Sequence, residues 1–265
     1  MDIVNILEIV NLTYKDFNNI NLSFNNKIYY SIIGSNNCGK TTLFRLISGF
    51  IMSKDSIFCN NICLNHENIF NYIVNLGIVE RVNKNSFIYK KVIDEMMYPL
   101  LNLGYGKVKG LDRVKEVLSL FHKEDIIDKD INELNDLDKE LLLIMIAILH
   151  KPKVLLLDSV LDIFPKKILD RINDILKELV NDGLTILNFT NNLEIASFSD
   201  KIILLDKYKV IGEYTKDDIY NNDKLFYEHN LEIPFLTDLS IKLKMYNLVD
   251  KNYASMKAMV DDIWP

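Results

Sequence analysis

The chain lacks any apolar segment long enough to cross a lipid bilayer. Its longest uninterrupted apolar run covers residues 141–149, about half of the roughly 20 residues that a membrane-spanning helix needs. Met1 and Asp2 do not form the basic start of a secretory signal peptide. Both absences argue against export and against a membrane span, so we expect the protein in the cytosol.

Cysteine is also scarce, and its positions do not form a metal-binding pattern. The three cysteines, Cys38, Cys59 and Cys63, are an odd set that favours reduced thiols over disulfide bonds. Cys59, Cys63 and His66 have no fourth ligand and no paired C-x₂-C spacing. Core or surface positions are therefore the better interpretation of these residues.

Positive charge does not predominate. The chain has 31 Lys and Arg against 37 Asp and Glu, a formal net charge of −6 and a pI of about 5.3. A nucleic-acid-binding surface normally carries a basic stripe, so we expect no nucleic-acid partner. With 49% hydrophobic residues in 265, the chain can bury the core of one α/β domain with appendages.

The most informative segment that is present matches the phosphate-binding loop pattern G-x-x-x-x-G-K-[ST] at every required position. It consists of Gly34, Ser35, Asn36, Asn37, Cys38, Gly39, Lys40, Thr41 and Thr42. In such a loop, backbone N–H groups surround a phosphate, Lys40 reaches the β- and γ-phosphates, and the Thr41 hydroxyl binds Mg²⁺. The loop therefore predicts a nucleoside triphosphate ligand.

Strands and helices alternate along most of the chain. Strands are predicted at residues 3–10, 20–24, 28–33, 57–59, 76–79, 154–158, 184–189 and 201–205, and helices at about 43–48, 91–121, 141–149 and 166–181. A polar turn at 16–19 separates the first two strands, and a glycine-rich break at 103–110 divides the second helical stretch. The alternation favours a mostly parallel sheet that is covered on both faces.

Asp158 ends a continuous apolar strand more than a hundred residues after Lys40. At the carboxyl edge of a sheet, such an aspartate can hold Mg²⁺ through water, opposite the Thr41 hydroxyl. The alternative is an aspartate that only caps the end of its strand.

In the order of these segments the chain resembles the ATP-binding cassette family over residues 1–230. The resemblance rests on the phosphate-binding loop, the helical stretch, residues 133–140 and the run at 151–158. It implies an α/β P-loop NTPase fold with a RecA-like, mostly parallel sheet, an N-terminal antiparallel β subdomain and a helical insertion at about residues 85–140. It also implies ATP and Mg²⁺ as ligands, with Tyr14 stacked on adenine. The alternative for Tyr14 is a hairpin aromatic packed in the core.

Two narrower features resemble the energy-coupling-factor ATPases, which drive vitamin and metal-ion uptake. Residues 98–104 are similar to that group's FGLENLG segment, and residues 231–239 with 257–262 are similar to its C-terminal appendix. The resemblance implies that residues 231–265 help to pair two ATPase subunits, as a homo- or heterodimer on the inner face of the cell membrane. It also implies a transmembrane scaffold subunit and a substrate-binding membrane component as partners. A capping helical hairpin without a partner is the alternative for residues 231–265.

The chain departs from the cassette pattern where the family binds the facing nucleotide. The family's LSGGQ signature is replaced by Leu134, Asn135, Asp136, Leu137 and Asp138. Asp136 replaces a glycine that allows close backbone approach. A carboxylate there would repel a triphosphate by on the order of 1–4 kcal/mol at contact in a partly solvated site.

The catalytic positions also differ. Ser159 stands where the family has its catalytic glutamate, and Asn191 where it has the switch histidine. Arg81, or Glu80 with a one-residue slip, falls at the glutamine of the Q-loop. Asp162 is either a substitute base or a loop residue, and the loop role is the better interpretation. Because serine is no general base near pH 7, we expect ATP binding with weak or no hydrolysis by this ABC-type ATPase.

Three alternatives to an importer subunit are open to a chain with these motifs. A soluble cassette protein, of the scaffold or iron–sulfur assembly type, is the alternative function, although residues 231–265 argue against it. A DNA-linked cassette needs a long coiled coil, and residues 49–133 are too short and lack sustained heptads. A non-functional relic is the third alternative, and the intact phosphate-binding loop argues against it.

Overall fold

The structure is a computed structural model that describes residues 4–83, 86–253 and 256–263. The predicted starts of the first strand (residue 3) and of the helical insertion (residue 85) lie outside the described residues, as do residues 1–2 and four residues of the predicted appendix (254, 255, 264 and 265).

The strands are β1 (Asn5–Tyr14), β2 (Phe17–Asn25), β3 (Tyr29–Ile33), β4 (Ile57–Cys59), β5 (Ile62–Cys63), β6 (Leu76–Glu80), β7 (Val154–Asp158), β8 (Thr185–Phe189), β9 (Lys201–Asp206) and β10 (Lys209–Tyr214). The helices are α1 (Lys40–Ile47), α2 (Ile69–Ile73), α3 (Val92–Asn102), α4 (Lys107–Leu120), α5 (Asp136–Ile148), α6 (Lys166–Asn181), α7 (Leu193–Ala196), α8 (Lys216–Tyr220), α9 (Asp223–Glu228), α10 (Phe235–Met245) and α11 (Met256–Ile263).

Six strands form one large sheet in the order β10-β9-β3-β8-β7-β6. Five of them run parallel, and the edge strand β10 is antiparallel to β9. Every residue of β3 and β8 is buried, as expected for strands with packed layers on both faces. The predicted mostly parallel sheet is therefore confirmed. No predicted strand corresponds to β10, because its residues alternate between exposed and half-buried and form no apolar run.

A second, antiparallel sheet has the order β2-β1-β4-β5. The predicted turn at residues 16–19 is wrong, because the chain turns at Lys15 and Asp16 and the next three residues belong to β2. Lys15 has a φ of 50°, which permits a two-residue hairpin. Asn11 and Asn19 have φ of 50° and 54° where the pairing register shifts. These polar residues are therefore β-bulges inside the strands and not turn residues.

α3, α4 and α5 pack against one another as a helical subdomain between β6 and β7 in chain order. The glycine-rich break ends at Gly106, so its predicted extension to residue 110 is wrong. Gly110 lies inside α4, where a Cβ would lie 2.9 Å from Met97 Cε in α3. This glycine therefore permits close packing of the two helices, and helical periodicity continues through it.

The core lies on both faces of the large sheet. One apolar cluster includes residues of α3, α4, α5 and α6, and a second includes residues of α1 and the small sheet. Tyr29 and Tyr30, adjacent in β3, each join a different cluster, because successive side chains of a strand point to opposite faces. Since β3, β7 and β8 are parallel, their carboxyl ends meet at the edge of the sheet where the phosphate-binding loop begins.

The C-terminal tail has a small apolar cluster of its own, built on Val249, Tyr253 and Met259. The side-chain amide of Asn252 donates to the Tyr220 carbonyl and to Asp223 Oδ1, both at 2.6 Å. These bonds hold the tail against α8 and α9. The division of the chain at residue 230 stays a prediction. Among the described residues, no helix combines the length and apolarity that crossing a membrane requires.

Candidate nucleotide-binding site

The phosphate-binding loop connects the end of β3 to the start of α1. Gly39 is the N-cap of α1 and provides no side-chain hydrogen bond to the first backbone N–H groups of the helix. The first turn of a helix has N–H groups without intrahelical partners and a partial positive charge. The start of α1 therefore has the donors that an anion needs.

Two glycines allow the loop to approach its neighbours closely. A Cβ at Gly34 would lie 2.1 Å from the backbone oxygen of Leu205. A Cβ at Gly39 would lie 2.8 Å from both Phe17 Cζ and Tyr208 Cδ1. Gly39 also has a φ of 111°, which residues with a side chain rarely adopt. Both positions therefore require glycine for the loop to keep this shape.

The ammonium group of Lys40 is held by the loop itself. The residue is only 9% exposed, and its Nζ donates to the carbonyl oxygens of Gly34 at 2.7 Å and Ser35 at 3.0 Å. An ammonium group has three donors and carries a full charge. The loop thus keeps a positive charge in place beside the start of α1.

A cavity of about 350 Å³ lies beside the loop. It is lined by Asn36, Asn37, Gly39, Lys40, Thr41, Thr42, Asp158, Ser159, Asn191 and Tyr208. The structure therefore brings together the loop, the end of β7 and the segment after β8, which sequence patterns had assigned to one site. Within the loop, Gly34, Ser35 and Cys38 do not line this cavity. Tyr14, Arg81 and residues 134–138 do not line it either.

Thr41 and Asp158 both line this cavity, and each has a side-chain oxygen. Mg²⁺ prefers hard oxygen ligands and usually combines one or two carboxylates with phosphate oxygens, so this donor set fits the ion. Burial raises the pKa of the Asp158 carboxyl, and the charge of Glu80, its register partner in β6, raises it further. A bound cation would oppose both effects. Among the described residues, no group of three or more His, Cys, Asp or Glu side chains is placed to hold a metal by itself.

Ser159 lines the cavity next to Asp158 and has a φ of 56°. Its Oγ lies 3.4 Å from Asp158 Oδ1. A hydroxyl cannot accept a proton from water near neutral pH, so Ser159 itself provides no general base.

Asp162 is tied to the end of β8. Thr190 Oγ1 donates to Asp162 Oδ1 at 2.6 Å, and the same oxygen of Thr190 accepts the backbone N–H of Asn192. Asp162 is not among the residues that line the cavity. Its contacts join two loops at the edge of the sheet, which favours the loop role over that of a substitute base.

Asn191 reaches across to the phosphate-binding loop. Its Nδ2 donates to Asn36 Oδ1 at 2.6 Å. An amide can donate to a phosphate oxygen, but it neither titrates nor carries positive charge. Asn191 is therefore placed to bind an anion in the cavity and not to transfer a proton.

Arg81 lies in a separate cavity of about 210 Å³, between the end of β6 and α5. Its Nε is 3.8 Å from Oε1 of Glu140, a side chain in the first turns of α5. Glu140 is 4% exposed and accepts the backbone N–H of Val82 at 3.1 Å. Burial raises the pKa of the Glu140 carboxyl, while the Val82 hydrogen bond and the Arg81 charge oppose that shift. Arg81 and Val82 thus connect the end of β6 to the helical subdomain.

Residues 134–138 form the start of α5, with Asn135 as its N-cap. Asn135 Oδ1 accepts the backbone N–H of Asp138, and Asn135 Nδ2 donates to Asp138 Oδ2, both at 2.9 Å. Lys123 Nζ lies 2.5 Å from Asp138 Oδ1. Asp136 adds a second carboxylate to the same turn. This helix start is already capped and negatively charged, so it is poorly suited to bind a second anion.

Tyr208 lines the cavity, although no sequence pattern marked it. Its ring packs edge to face on Phe17, with the ring centroids 5.2 Å apart. Phe17 is also the register partner of Tyr14, so both tyrosines have this aromatic residue as a neighbour. Tyr208 occupies the turn between β9 and β10, and only the pairing of β9 with β3 brings that turn to the loop.

These parts together define the class of the protein. A phosphate-binding loop after one parallel strand, an aspartate at the end of another, an antiparallel β subdomain and an inserted helical subdomain are the components of an ATP-binding cassette.

Comparison with known proteins agrees with this class. The family model described as "ABC transporter" matches residues 17–161, which is more than half of the chain, and the chain therefore belongs to the ABC transporter family. It is 27% identical over 245 residues to the energy-coupling factor transporter ATP-binding protein EcfA1 of Lactobacillus acidophilus, covering 89% of this chain and 87% of that protein. It is 26% identical over 272 residues to EcfA1 of Streptococcus thermophilus, covering 97% and 98%. Both matches confirm the resemblance to the energy-coupling-factor ATPases.

The fold is shared with a solved structure as well. CbiO1 from Clostridium perfringens, part of the ABC transporter complex CbiONQ, superposes with a TM-score of 0.76 at 22% identity and covers 89% of this chain and 99% of that chain. The predicted P-loop NTPase fold is thereby confirmed.

Proposed function

We propose that this chain is the ATP-binding subunit of an energy-coupling-factor type importer for vitamins or metal ions. In this proposal it binds ATP with Mg²⁺ and hydrolyses it weakly or not at all at its own site. The EcfA1 relatives, which align with most of the chain, support the type of importer. The observation that carries the proposal is the cavity beside the loop, which keeps Lys40, Thr41 and Asp158 together but has Ser159 at the position of the general base.

Different residues of the cavity would bind different parts of MgATP. The start of α1 and the Lys40 ammonium group would hold the phosphates, and Asn191 would donate to the terminal one. Thr41 and Asp158 would hold Mg²⁺, which neutralises charge between the phosphates. This set of groups is sufficient for binding and orientation without any proton transfer.

Hydrolysis lacks two kinds of groups. A general base typically accounts for about 10²–10⁴ in rate, and Ser159 cannot replace it. In a cassette dimer, residues 134–138 would cover the partner's nucleotide with Asp136 and Asp138. A partner with an intact signature would complete the cover over Lys40 but would not supply the missing base. We therefore expect bound ATP to hold the subunits together, with the partner performing whatever hydrolysis occurs.

The tail supports pairing with a second ATPase subunit. Six large apolar side chains are exposed in the part of the tail that the structure describes: Phe235, Met245, Tyr246, Leu248, Met256 and Val260. Met245, Tyr246 and Leu248 are close together in the chain, and a contiguous exposed apolar patch marks a surface that binds a partner. We call this region the tail surface.

A second exposed apolar region supports contact with the transmembrane scaffold. That contact would place the chain on the inner face of the membrane, beside the substrate-binding component. Phe50 lines the cavity that contains Arg81, and Ile88 and Tyr89 line a neighbouring cavity of about 350 Å³. Both cavities include Asn83, so they adjoin, and Phe50, Ile88 and Tyr89 are exposed apolar side chains among their lining residues. We call this region the groove surface.

A nucleotide titration tests the first part of the proposal. Wild type should bind MgATP in isothermal titration calorimetry, and Lys40→Ala should abolish that binding, while the exposed Lys54→Ala should leave it unchanged. Wild type should also show no ATP turnover above Lys40→Ala. Turnover at ordinary transporter rates that depends on Lys40 would refute the proposed loss of hydrolysis.

Purification from membranes tests the partners. The tagged chain should sediment with membranes and retain a second cassette subunit and a polytopic membrane protein, identified by mass spectrometry. Tyr89→Asp should release the membrane protein, and Tyr246→Asp should release the cassette subunit. Val108→Asp, at an exposed apolar residue of α4, is the matched control. A monodisperse monomer that never associates with membranes would argue against an importer.

A further inference from the structure

We infer that Tyr208 contacts the nucleoside part of the bound nucleotide and makes the site prefer a nucleoside triphosphate over inorganic triphosphate. This inference rests on the proposed binding of ATP, and it assigns to Tyr208 a role that the loop motif does not include. Among the described residues that line the cavity, Tyr208 is the one aromatic side chain, and the others are polar or glycine.

The position of the ring is set by several independent contacts. The backbone N–H of Tyr208 donates to the Cys38 carbonyl at 2.8 Å, so the turn is fastened to the phosphate-binding loop. One edge of the ring packs on Phe17, which is fully buried. The ring also occupies the space that a Cβ of Gly39 would need. These contacts leave the half-buried ring beside the start of α1, where bound phosphates would continue into a sugar and a base.

The backbone at this turn is unusual for a tyrosine. Lys207 and Tyr208 have φ of 46° and 61°, the signs that a two-residue type I′ hairpin turn requires. The second position of such a turn strongly prefers glycine, because a side chain there strains the backbone. Strained residues persist where surrounding structure holds them and often where the site needs them. A tyrosine at this position therefore suggests that its ring, and not the turn alone, serves the site.

An aromatic ring in a cavity otherwise made of phosphate-binding groups favours a ligand with a flat or apolar part next to its phosphates. Nucleobases stack on aromatic side chains with little sequence preference, because every base has a π face. Tyr14 is the competing candidate for this contact. It is half-buried, packs against the cluster of the small sheet, and does not line the cavity.

The test compares MgATP with Mg-tripolyphosphate on wild type, Tyr208→Ala, Tyr208→Phe and Tyr14→Ala, measured as displacement of a fluorescent nucleotide. We expect Tyr208→Ala to weaken MgATP binding by about tenfold while tripolyphosphate binding changes less than about twofold. Tyr208→Phe should behave as wild type. Photolabelling of wild type with 8-azido-ATP should modify the segment that contains Tyr208, located by mass spectrometry.

Three outcomes would overturn the inference. Equal weakening of both ligands in Tyr208→Ala would mean that the ring only supports the loop. Unchanged binding of both ligands would mean that the ring is outside the site. An ATP-selective loss in Tyr14→Ala alone would assign the base contact to Tyr14. Failure of wild type to bind MgATP at all, or binding that survives Lys40→Ala, would instead contradict the proposed function, so the two failures are distinguishable.

Discussion

Asn191 Nδ2 donates a 2.6 Å hydrogen bond to Asn36 Oδ1, although the two residues are 155 positions apart in the chain. The bond joins the segment after β8 to the phosphate-binding loop across the cavity that both residues line. It uses one of the two N–H donors of the amide that would donate to a terminal phosphate. A triphosphate at this position would compete with Asn36 for that amide, so that its binding exchanges one acceptor of Asn191 for another.

This exchange predicts opposite behaviour for the two asparagines. Asn191→Ala should weaken MgATP binding by about tenfold or more, as expected for one hydrogen bond to a charged group, and should change MgADP binding little. Asn36→Ala frees Asn191 and should leave MgATP binding equal or slightly stronger. Calorimetry with both nucleotides checks this, and equal losses of ATP and ADP affinity in Asn191→Ala would contradict the assignment to the terminal phosphate.

Removal of the Asp158 carboxylate should affect binding only when Mg²⁺ is present. We expect Asp158→Asn to weaken MgATP binding by at least about tenfold, since even residues that only orient metal ligands typically contribute that much. With Mg²⁺ removed by EDTA, the variant should bind ATP no more weakly than wild type, because the half-buried carboxylate then only repels the phosphates. Ser159→Ala, one residue away, is the control and should match wild type. A loss that persists in EDTA would show that Asp158 supports the loop instead of the metal.

The glycine at the start of the loop should be a strict requirement. Gly34→Ala places a Cβ 2.1 Å from the Leu205 carbonyl, and overpacking of this kind costs about 1–3 kcal/mol of unfolding free energy. Gly106 has a φ of −67° and open space around its Cβ position, so Gly106→Ala should stay within about 0.5 kcal/mol of wild type. Urea denaturation of the three proteins measures the difference. Equal stabilities for the two variants would mean that the loop can move away from β9.

Glu140 predicts a pH dependence of stability. Burial raises the pKa of this carboxyl in the folded state, so the folded protein binds the proton more tightly than the unfolded chain does. Its contribution is therefore fully present below the ordinary glutamate pKa of about 4.3 and is lost as the pH rises through the raised value. Glu140→Gln, which can still accept from Val82, should be more stable than wild type at pH 8, with a difference that shrinks as the pH falls.

Glu116 provides the matched control with the opposite sign. A hydrogen bond from Arg113 lowers the pKa of the Glu116 carboxyl, so Glu116→Gln should lose a little stability at pH 8 and none at low pH. Denaturant midpoints of wild type, Glu140→Gln and Glu116→Gln, measured from low pH to pH 8, test both predictions. A Glu140→Gln variant that is less stable than wild type at pH 8 would mean that the Arg81 charge outweighs the cost of burial.

The sequence predicted an element correctly where all the residues that indicate it lie within one contiguous segment. The helix at residues 166–181 has its predicted bounds, because its apolar spacing and the stop at Asn181 and Gly183 lie within one stretch. The phosphate-binding loop was recognisable for the same reason. Sequence patterns failed at Gly110, where the glycine serves helix packing and does not end a helix. They also failed at Asn19, where the polar residue forms a bulge inside β2 and not a turn.

By itself the sequence determined the class of the protein. The order of the phosphate-binding loop, the helical stretch and the apolar strand that ends at Asp158 can be read along the chain, because each motif is contiguous. The replaced residues at Ser159 and in 134–138 can be recognised for the same reason. Only the tertiary structure decided which distant side chains share the cavity. Tyr208 enters it, and Asn191 meets Asn36, because parallel pairing of β9 and β8 with β3 brings three chain segments to one edge of the sheet. Such pairing depends on packing between residues far apart in the chain, which a motif within one segment does not encode.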